Sequence, residues 1–187
     1  MINEVRVNRT TETTVFGGGC FWCLEAVFER IQGVERVLPG YSGGTRSAPT
    51  YEQVCSGATG HAEVIEVTFD PAIRSYQELL ELFFAFHDPT TVDRQGPDIG
   101  TQYRSVIFAP TAQQLEVAHA VIARLSADGV FDEPIVTVVA ALDAFWPAEE
   151  YHRQYFQRNP ERAYCAAMVA PKVAKLRQRY AAVVKPS

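Results

Sequence analysis

The sequence predicts an α/β sandwich, with one mixed sheet and helices packed on it. Three observations carry this. Short β-branched and aromatic runs alternate with segments whose apolar residues recur at helical spacing. Thr50, Ser75 and Thr111 each stand three places before a glutamine or glutamate, the pattern of a capped helix start. The alternation also lacks the even crossovers of a doubly wound sheet, so a mixed sheet fits best. The 187 residues suffice for one domain and a core that buries about two-thirds of the unfolded surface. No repeat, low-complexity segment or linker divides the chain. A single domain is expected over residues 1–187, with 1–12 and 161–187 as extensions.

The first strand lies at Thr14-Val15-Phe16 and runs into Gly17-Gly18-Gly19. A helix follows, with Leu24, Val27, Phe28 and Ile31 on one face. Residues 34–41 read as a second strand, closed by Ser42-Gly43-Gly44. Thr50 and Gln53 box the start of a short helix that stops at Gly57. Residues 62–70 alternate as a half-buried strand and end at Pro71. Ser75 and Glu78 box the next helix, which turns Leu79, Leu82, Phe83 and Phe86 inward as far as His87. Residues 88–103 form a loop long enough to expect a function of it.

A strand is expected over residues 104–109, then a long helix opened by a Thr111–Gln114 box. Its inner face carries Leu115, Ala118, Ile122 and Leu125, and Gly129 ends it. Residues 135–142 are a β-branched strand. Pro147 suits the first turn of a helix over residues 148–158, stopped by Asn159-Pro160. A tail with Cys165 and a basic helical stretch closes the chain. Its lysines and arginines are spaced as one solvated helix face.

A net charge of −5 gives no support for a nucleic-acid partner. No apolar run is long enough to span a membrane, and residues 1–14 lack the apolar core of a signal peptide. A cytoplasmic, monomeric protein is the default expectation. Four cysteines in a chain of this length do not make a disulfide scaffold. In a reducing compartment they are redox-active, metal-binding or buried.

Cys20 stands where the glycine loop turns into a helix. Unpaired N–H groups and the helix dipole favour negative charge there, so its thiol is expected to lose its proton readily. Cys20-Phe21-Trp22-Cys23 is a C-x-x-C, suited to a local disulfide or to half of a zinc site. Cys55, His61 and Cys165 are scattered singly, which ranks zinc below redox chemistry. Cys55 itself reads as buried and inert. Glu63 has the strand parity of Ile65, Val67 and Phe69. If the strand reaches it, burial would keep its carboxyl protonated, and if not, it stays solvated. Tyr51, Tyr103 and His61 are possible hydrogen-bond donors.

Together these residues resemble the A-type peptide methionine sulfoxide reductases. Gly19-Cys20-Phe21-Trp22 is the family's signature. Gly40-Tyr41-Ser42-Gly43-Gly44, the run from Pro49 to Gly57, Gly60-His61-Ala62-Glu63, the run from Asp98 to Ser105 and Glu150-Tyr151-His152 match in the family's order. The resemblance implies a ferredoxin-like core and reduction of the S epimer of methionine sulfoxide, free or in proteins. It makes Cys20 the nucleophile and Phe21 and Trp22 the wall around the substrate's S-methyl group. Glu63, Tyr51 and Tyr103 would surround the sulfoxide oxygen, and Asp98 would arrange the substrate's polar side.

Attack by Cys20 would release methionine and leave a sulfenic acid. A second thiol would close a disulfide, to be reduced by an external dithiol such as thioredoxin, with no bound cofactor. The sequence departs from the common pattern at Cys23, where glycine is frequent, and retains Cys165 in the region of the family's resolving cysteine. Either can resolve the sulfenic acid. Cys23 needs only a local adjustment, whereas Cys165 sits on a tail that could swing in. The competing readings are a general dithiol-disulfide oxidoreductase and a non-enzymatic metal- or sulfoxide-binding module.

Overall fold

The strands form where the alternation is cleanest. The computed structural model describes residues 10–186, so the expected extension at residues 1–12 falls almost wholly outside the described residues. The chain runs β1 (Glu12–Gly18), α1 (Phe21–Phe28), β2 (Val34–Ser42), α2 (Tyr51–Cys55), β3 (Ala62–Phe69), α3 (Tyr76–Phe86), β4 (Arg94–Gln95) and β5 (Asp98–Ile99). It continues through β6 (Ser105–Ala109), α4 (Ala112–Ala127), β7 (Val138–Ala141), β8 (Phe145–Pro147), α5 (Tyr155–Arg158) and α6 (Ala170–Arg179).

One six-stranded sheet has the order β7-β6-β1-β3-β2-β8. Its neighbours are antiparallel except β6 and β7, which are parallel. The sheet is therefore mixed and carries packed helices, as the alternation implies. The register sets Phe16 opposite Ile65 and Tyr41 opposite Glu63. β3 is buried on both faces. Ile65, Val67 and Phe69 join the main core with α1 and α3. Ala62 and Val64 join a smaller cluster with Val15, Val106 and Phe108, against which Ala140, Leu142 and Phe145 pack. Among the described residues no helix is long and apolar enough to cross a membrane.

The glycines before α1 are places of close approach. A β-carbon at Gly17 would fall 2.8 Å from a Val106 methyl, one at Gly18 would fall 2.9 Å from the His87 ring, and one at Gly19 would fall 2.5 Å from Gln95. Gly19 also needs φ +90 to turn the chain into the helix.

Several local expectations change. The Thr50 and Ser75 boxes close in both directions. At Thr111 only the forward bond forms, because the Gln114 amide donates instead to the Thr13 carbonyl and Glu12 on β1. The strand over residues 135–142 shortens to β7, and β8 is an unforeseen edge strand on β2. The long loop contains the β4–β5 hairpin and a 3-10 turn, Thr101–Tyr103. The helix expected over residues 148–158 is broken. A 3-10 turn, Glu150–His152, is separated from α5 by Gln154 in the left-handed conformation, φ 50 and ψ 36.

The segment from Glu161 is not a free tail. A π-helical turn, Cys165–Val169, leads into α6, and Cys165, Val169, Val173 and Leu176 join the core. Nor are its lysines wholly solvated. Lys172 and Lys175 donate to the carbonyls of Phe86 and Ala85, the orphan acceptors at the C-terminal end of α3.

Candidate active site

Cys20 ends the glycine turn as the N-cap residue of α1, with no side-chain cap bond. It is 8% exposed and Cys23 is 3% exposed, and all the cysteines are free thiols. The turn that brings Cys23 back over Cys20 is closed by the Cys23 N–H donating to the Cys20 carbonyl at 3.1 Å. The thiols are hydrogen-bonded to each other, and the Tyr164 hydroxyl is within hydrogen-bond reach of both.

Cys20 is not the acidic thiol that its helix position implies. Burial pushes it well above the ordinary thiol value, helped by its hydrogen bond to Cys23 and by the field of Glu63. Cys23 is lowered, first by the hydrogen bond from Cys20, against its own burial, and with help from the Lys172 charge. At Cys20, desolvation and acidic neighbours outweigh the dipole of a short helix.

Glu63 lies at the start of β3 and is 1% exposed, so the strand reaches it and its parity turns it inward. One carboxyl oxygen accepts the Phe21 N–H at 3.1 Å, which ties it to the first turn of α1. Burial raises its carboxyl from the usual range to about 8. The Phe21 bond opposes this, and the fields of Asp98 and Cys23 add to it. At neutral pH the carboxyl is mostly protonated and can donate.

Tyr51 and Tyr103 are half-buried phenols, each raised by burial and then by the field of Glu63. The Tyr51 ring stacks on Phe21 at 6.3 Å, and its N–H donates to Glu149 at 2.8 Å. Tyr103 also feels Cys55, Asp98 and Cys20. Asp98, on β5, accepts the Tyr164 hydroxyl at 2.6 Å. Trp22 stacks on Tyr155 at 3.8 Å and 7°, and its indole N–H donates to His152 Nδ1 at 3.0 Å. Cys20, Cys23, Glu63, Tyr51, Tyr103, Phe21, Trp22 and Asp98 thus converge at one end of the sheet.

Two cysteines sit differently from their sequence readings. Cys55 is partly exposed rather than buried, and the burial it has raises its thiol. Cys165 is fully buried and feels the charge of Cys23. His61 lies outside the cluster, bonded to the Gly44 N–H and the Arg46 carbonyl.

Four residues of the site were not singled out from sequence. Glu149 accepts the Tyr41 hydroxyl at 2.8 Å as well as the Tyr51 N–H. His152 is fully buried, and desolvation lowers it to about 4, so it is neutral. Tyr164 bridges Asp98 to the thiols. Tyr41 faces Glu63 across the β2–β3 pair. Tyr41 and His152 fall within the matched blocks, but only strand register and the broken turn after Pro147 bring them here.

A nucleophile, a buried acid and phenols lie together beside aromatic rings, which suits attack on a polarised, methyl-bearing sulfur. Comparison with known proteins leads the same way. The family description "Peptide methionine sulfoxide reductase" matches residues 12–184. The peptide methionine sulfoxide reductase MsrA of Ralstonia nicotianae is 55% identical over 91% of both chains. The crystal structure of Mxr1 from Saccharomyces cerevisiae in reduced form superposes with TM-score 0.77 at 33% identity, over 84% of this chain and 91% of that one. Mxr1 in complex with Trx2 shares the fold at TM-score 0.54 and 22% identity, over 79% and 86% of the two chains. With agreement along nearly its whole length, the chain belongs to the peptide methionine sulfoxide reductase family and is an enzyme that reduces methionine sulfoxide.

Proposed function

We propose that Cys20 attacks the sulfoxide sulfur of the S epimer of methionine sulfoxide, free or within proteins. The observation that carries this reading is Glu63, a buried carboxyl raised to about 8 and hydrogen-bonded to the residue next to Cys20. A sulfoxide sulfur is a poor electrophile until its oxygen is protonated or strongly hydrogen-bonded. Glu63 donates to that oxygen, and Tyr51 and Tyr103 add hydrogen bonds worth about 3 kcal/mol per well-placed donor.

Attack forms a bond between the Cys20 sulfur and the substrate sulfur; as the oxygen passes to Cys20, that S–S bond and the S–O bond both break, and methionine leaves with its second lone pair restored. The Cys20 thiol proton ends on the sulfenic hydroxyl, so Glu63 recovers the proton it lent. Phe21 and Trp22 hold the methyl group, and Asp98 orders the substrate's polar side.

Cys23 is the first resolving thiol. It is hydrogen-bonded to Cys20 and is the more acidic of the two. Its sulfur attacks the Cys20 sulfenic sulfur, a disulfide forms and water leaves. Cys165 is the second candidate, reached by exchange. An external dithiol of the thioredoxin kind reduces the enzyme again, and no bound cofactor takes part. A reducing compartment such as the cytoplasm supplies both free thiols and that dithiol. The strand order β6-β1-β3-β2, with α1 and α3 as interleaved crossovers, supports reading the core as ferredoxin-like. The single-domain reading extends over the whole chain.

The test is consumption of the separate S and R epimers with dithiothreitol by wild type, Cys20→Ser and Glu63→Gln. Wild type should consume the S epimer and Cys20→Ser neither. Activity on the R epimer alone, or full activity in Cys20→Ser, overturns the reading. Disulfide mapping after one turnover without reductant should give a Cys20–Cys23 bridge. A Cys20–Cys165 bridge alone would reverse the order of the resolving thiols.

A further inference from the structure

Glu25 is a buried carboxyl that the chemistry above does not use. It is 2% exposed and lies on α1, three residues after Trp22. Burying a carboxyl is costly unless donors repay it. One oxygen accepts the Gln154 N–H at 2.8 Å, and the Tyr155 amide also hydrogen-bonds to the carboxyl. Burial raises it to about 7, with Glu29 adding and Arg158 opposing.

The amide it holds belongs to Gln154, which occupies the left-handed region at φ 50 and ψ 36. A side chain other than glycine pays roughly 1 kcal/mol there. That conformation interrupts the expected helix and turns the next residue, Tyr155, onto the Trp22 indole at 3.8 Å. His152, two residues before Gln154, takes the indole N–H. The contact continues along one face of α1. Glu29 accepts the Gln157 amide, and the Arg30 guanidinium lies over the Phe156 ring. Trp22, Glu25 and Glu29 share that face at helical spacing.

We propose that Glu25 is a positioning residue for the methyl-recognising wall. By holding the Gln154 amide it fixes Tyr155 and His152 around Trp22, and so sets the preference for a methyl group over a larger group on the sulfoxide sulfur. This rests on the reading of Trp22 as part of that wall. Glu25 touches neither substrate nor reacting atoms, so its loss acts on KM and selectivity ahead of kcat.

The experiment compares methionine sulfoxide with ethionine sulfoxide in wild type, Trp22→Ala, Glu25→Ala, Glu25→Gln, Gln154→Gly and the Glu25→Ala/Gln154→Gly double variant. Glu25→Ala should raise KM for methionine sulfoxide by about tenfold, the size of one lost hydrogen bond to a charged group. Its kcat should stay within about threefold, and the methyl-over-ethyl preference should fall. Glu25→Gln, which keeps one acceptor, should lose less. Glycine adopts φ > 0 without strain, so Gln154→Gly should restore part of both losses in the double variant. In a Trp146→Phe background, the Trp22 emission should shift in Glu25→Ala and move back in the double variant.

If Trp22→Ala loses the preference and folded Glu25→Ala, Glu25→Gln and the double variant keep wild-type KM, preference and emission, the role of Glu25 is overturned. If Trp22→Ala itself keeps the preference, the wall reading falls and this role with it. Should Glu25→Ala fail to fold, Glu25→Gln decides: a higher KM and a weaker preference support the role, and wild-type values of both overturn it.

Discussion

Two buried carboxyls sit near the cysteine pair, one at the start of β3 and one on the face of α1 that α5 covers. Each is almost unexposed, accepts a backbone N–H and is raised by burial, Glu63 to about 8 and Glu25 to about 7. They differ in what the amide belongs to. Glu63 binds the first amide after Cys20, so its proton is stationed beside the reacting sulfur. Glu25 binds the amide of a left-handed residue that carries a wall. The same chemistry, buried carboxyl on backbone amide, therefore supplies a proton in one region and a shape in the other.

The largest expected effect separates them directly. Glu63→Gln should lower kcat by about 10²–10³, where Glu25→Gln should leave kcat nearly unchanged. Wild-type activity should fall as pH rises through about 8, because Glu63 then loses the proton it donates. That limb should vanish from the residual activity of Glu63→Gln. A rate profile from pH 6 to 10 checks this, and an unchanged limb in Glu63→Gln would give the proton to another group.

The next effect is thermodynamic. A carboxyl raised on folding binds its proton more tightly in the native state, so the native state loses stability as pH rises from the unfolded value to the folded one. For Glu63 the loss runs from about pH 4.5 to 8 and amounts to roughly 5 kcal/mol. For Glu25 it ends near pH 7 and amounts to roughly 3 kcal/mol. Each glutamine variant should lose its own share of this slope in urea titrations across pH. Glu63→Gln should be more stable than wild type above pH 8, and equal slopes in wild type and variant would break the comparison.

The smallest effect tests the acidity of the thiols. With Cys23→Ser, the hydrogen bond that helps hold the Cys20 proton is replaced by a neutral hydroxyl. Alkylation by iodoacetamide should then titrate at lower pH for Cys20 than in wild type. A rise instead would mean that Cys23 activates Cys20.

What was legible in the sequence was local. The triple glycine, the closed boxes at Thr50 and Ser75 and the alternation of β3 depend on neighbours within a few residues, and they stand as read. The parity of Glu63 could be read, but not whether the strand reached it. The acidity expected of Cys20 rests on the helix dipole, which is local and visible, while its burial, its Cys23 partner and the field of Glu63 are not. Tyr164 and Glu149 were invisible for the same reason. One arrives through the turn before a π-helical segment, the other as the N-cap of the 3-10 turn that follows β8. Lys172 looked solvated because nothing in its own helix reveals the α3 carbonyl that it caps.

The triple glycine has a consequence for genetics. Gly17, Gly18 and Gly19 are adjacent in the chain, yet each is pressed by a different segment: Val106 on β6, His87 and Phe83 at the end of α3, and Gln95 in the hairpin. Alanine at any of them should inactivate the enzyme, but the three alleles should not share revertants. Second-site suppressors of Gly17→Ala should map to a smaller residue at Val106, and those of Gly18→Ala to Phe83 or His87. Gly19→Ala should be the hardest to revert, because trimming Gln95 makes room without relieving the backbone at φ +90. Three neighbouring codons thus report on three distant parts of the fold.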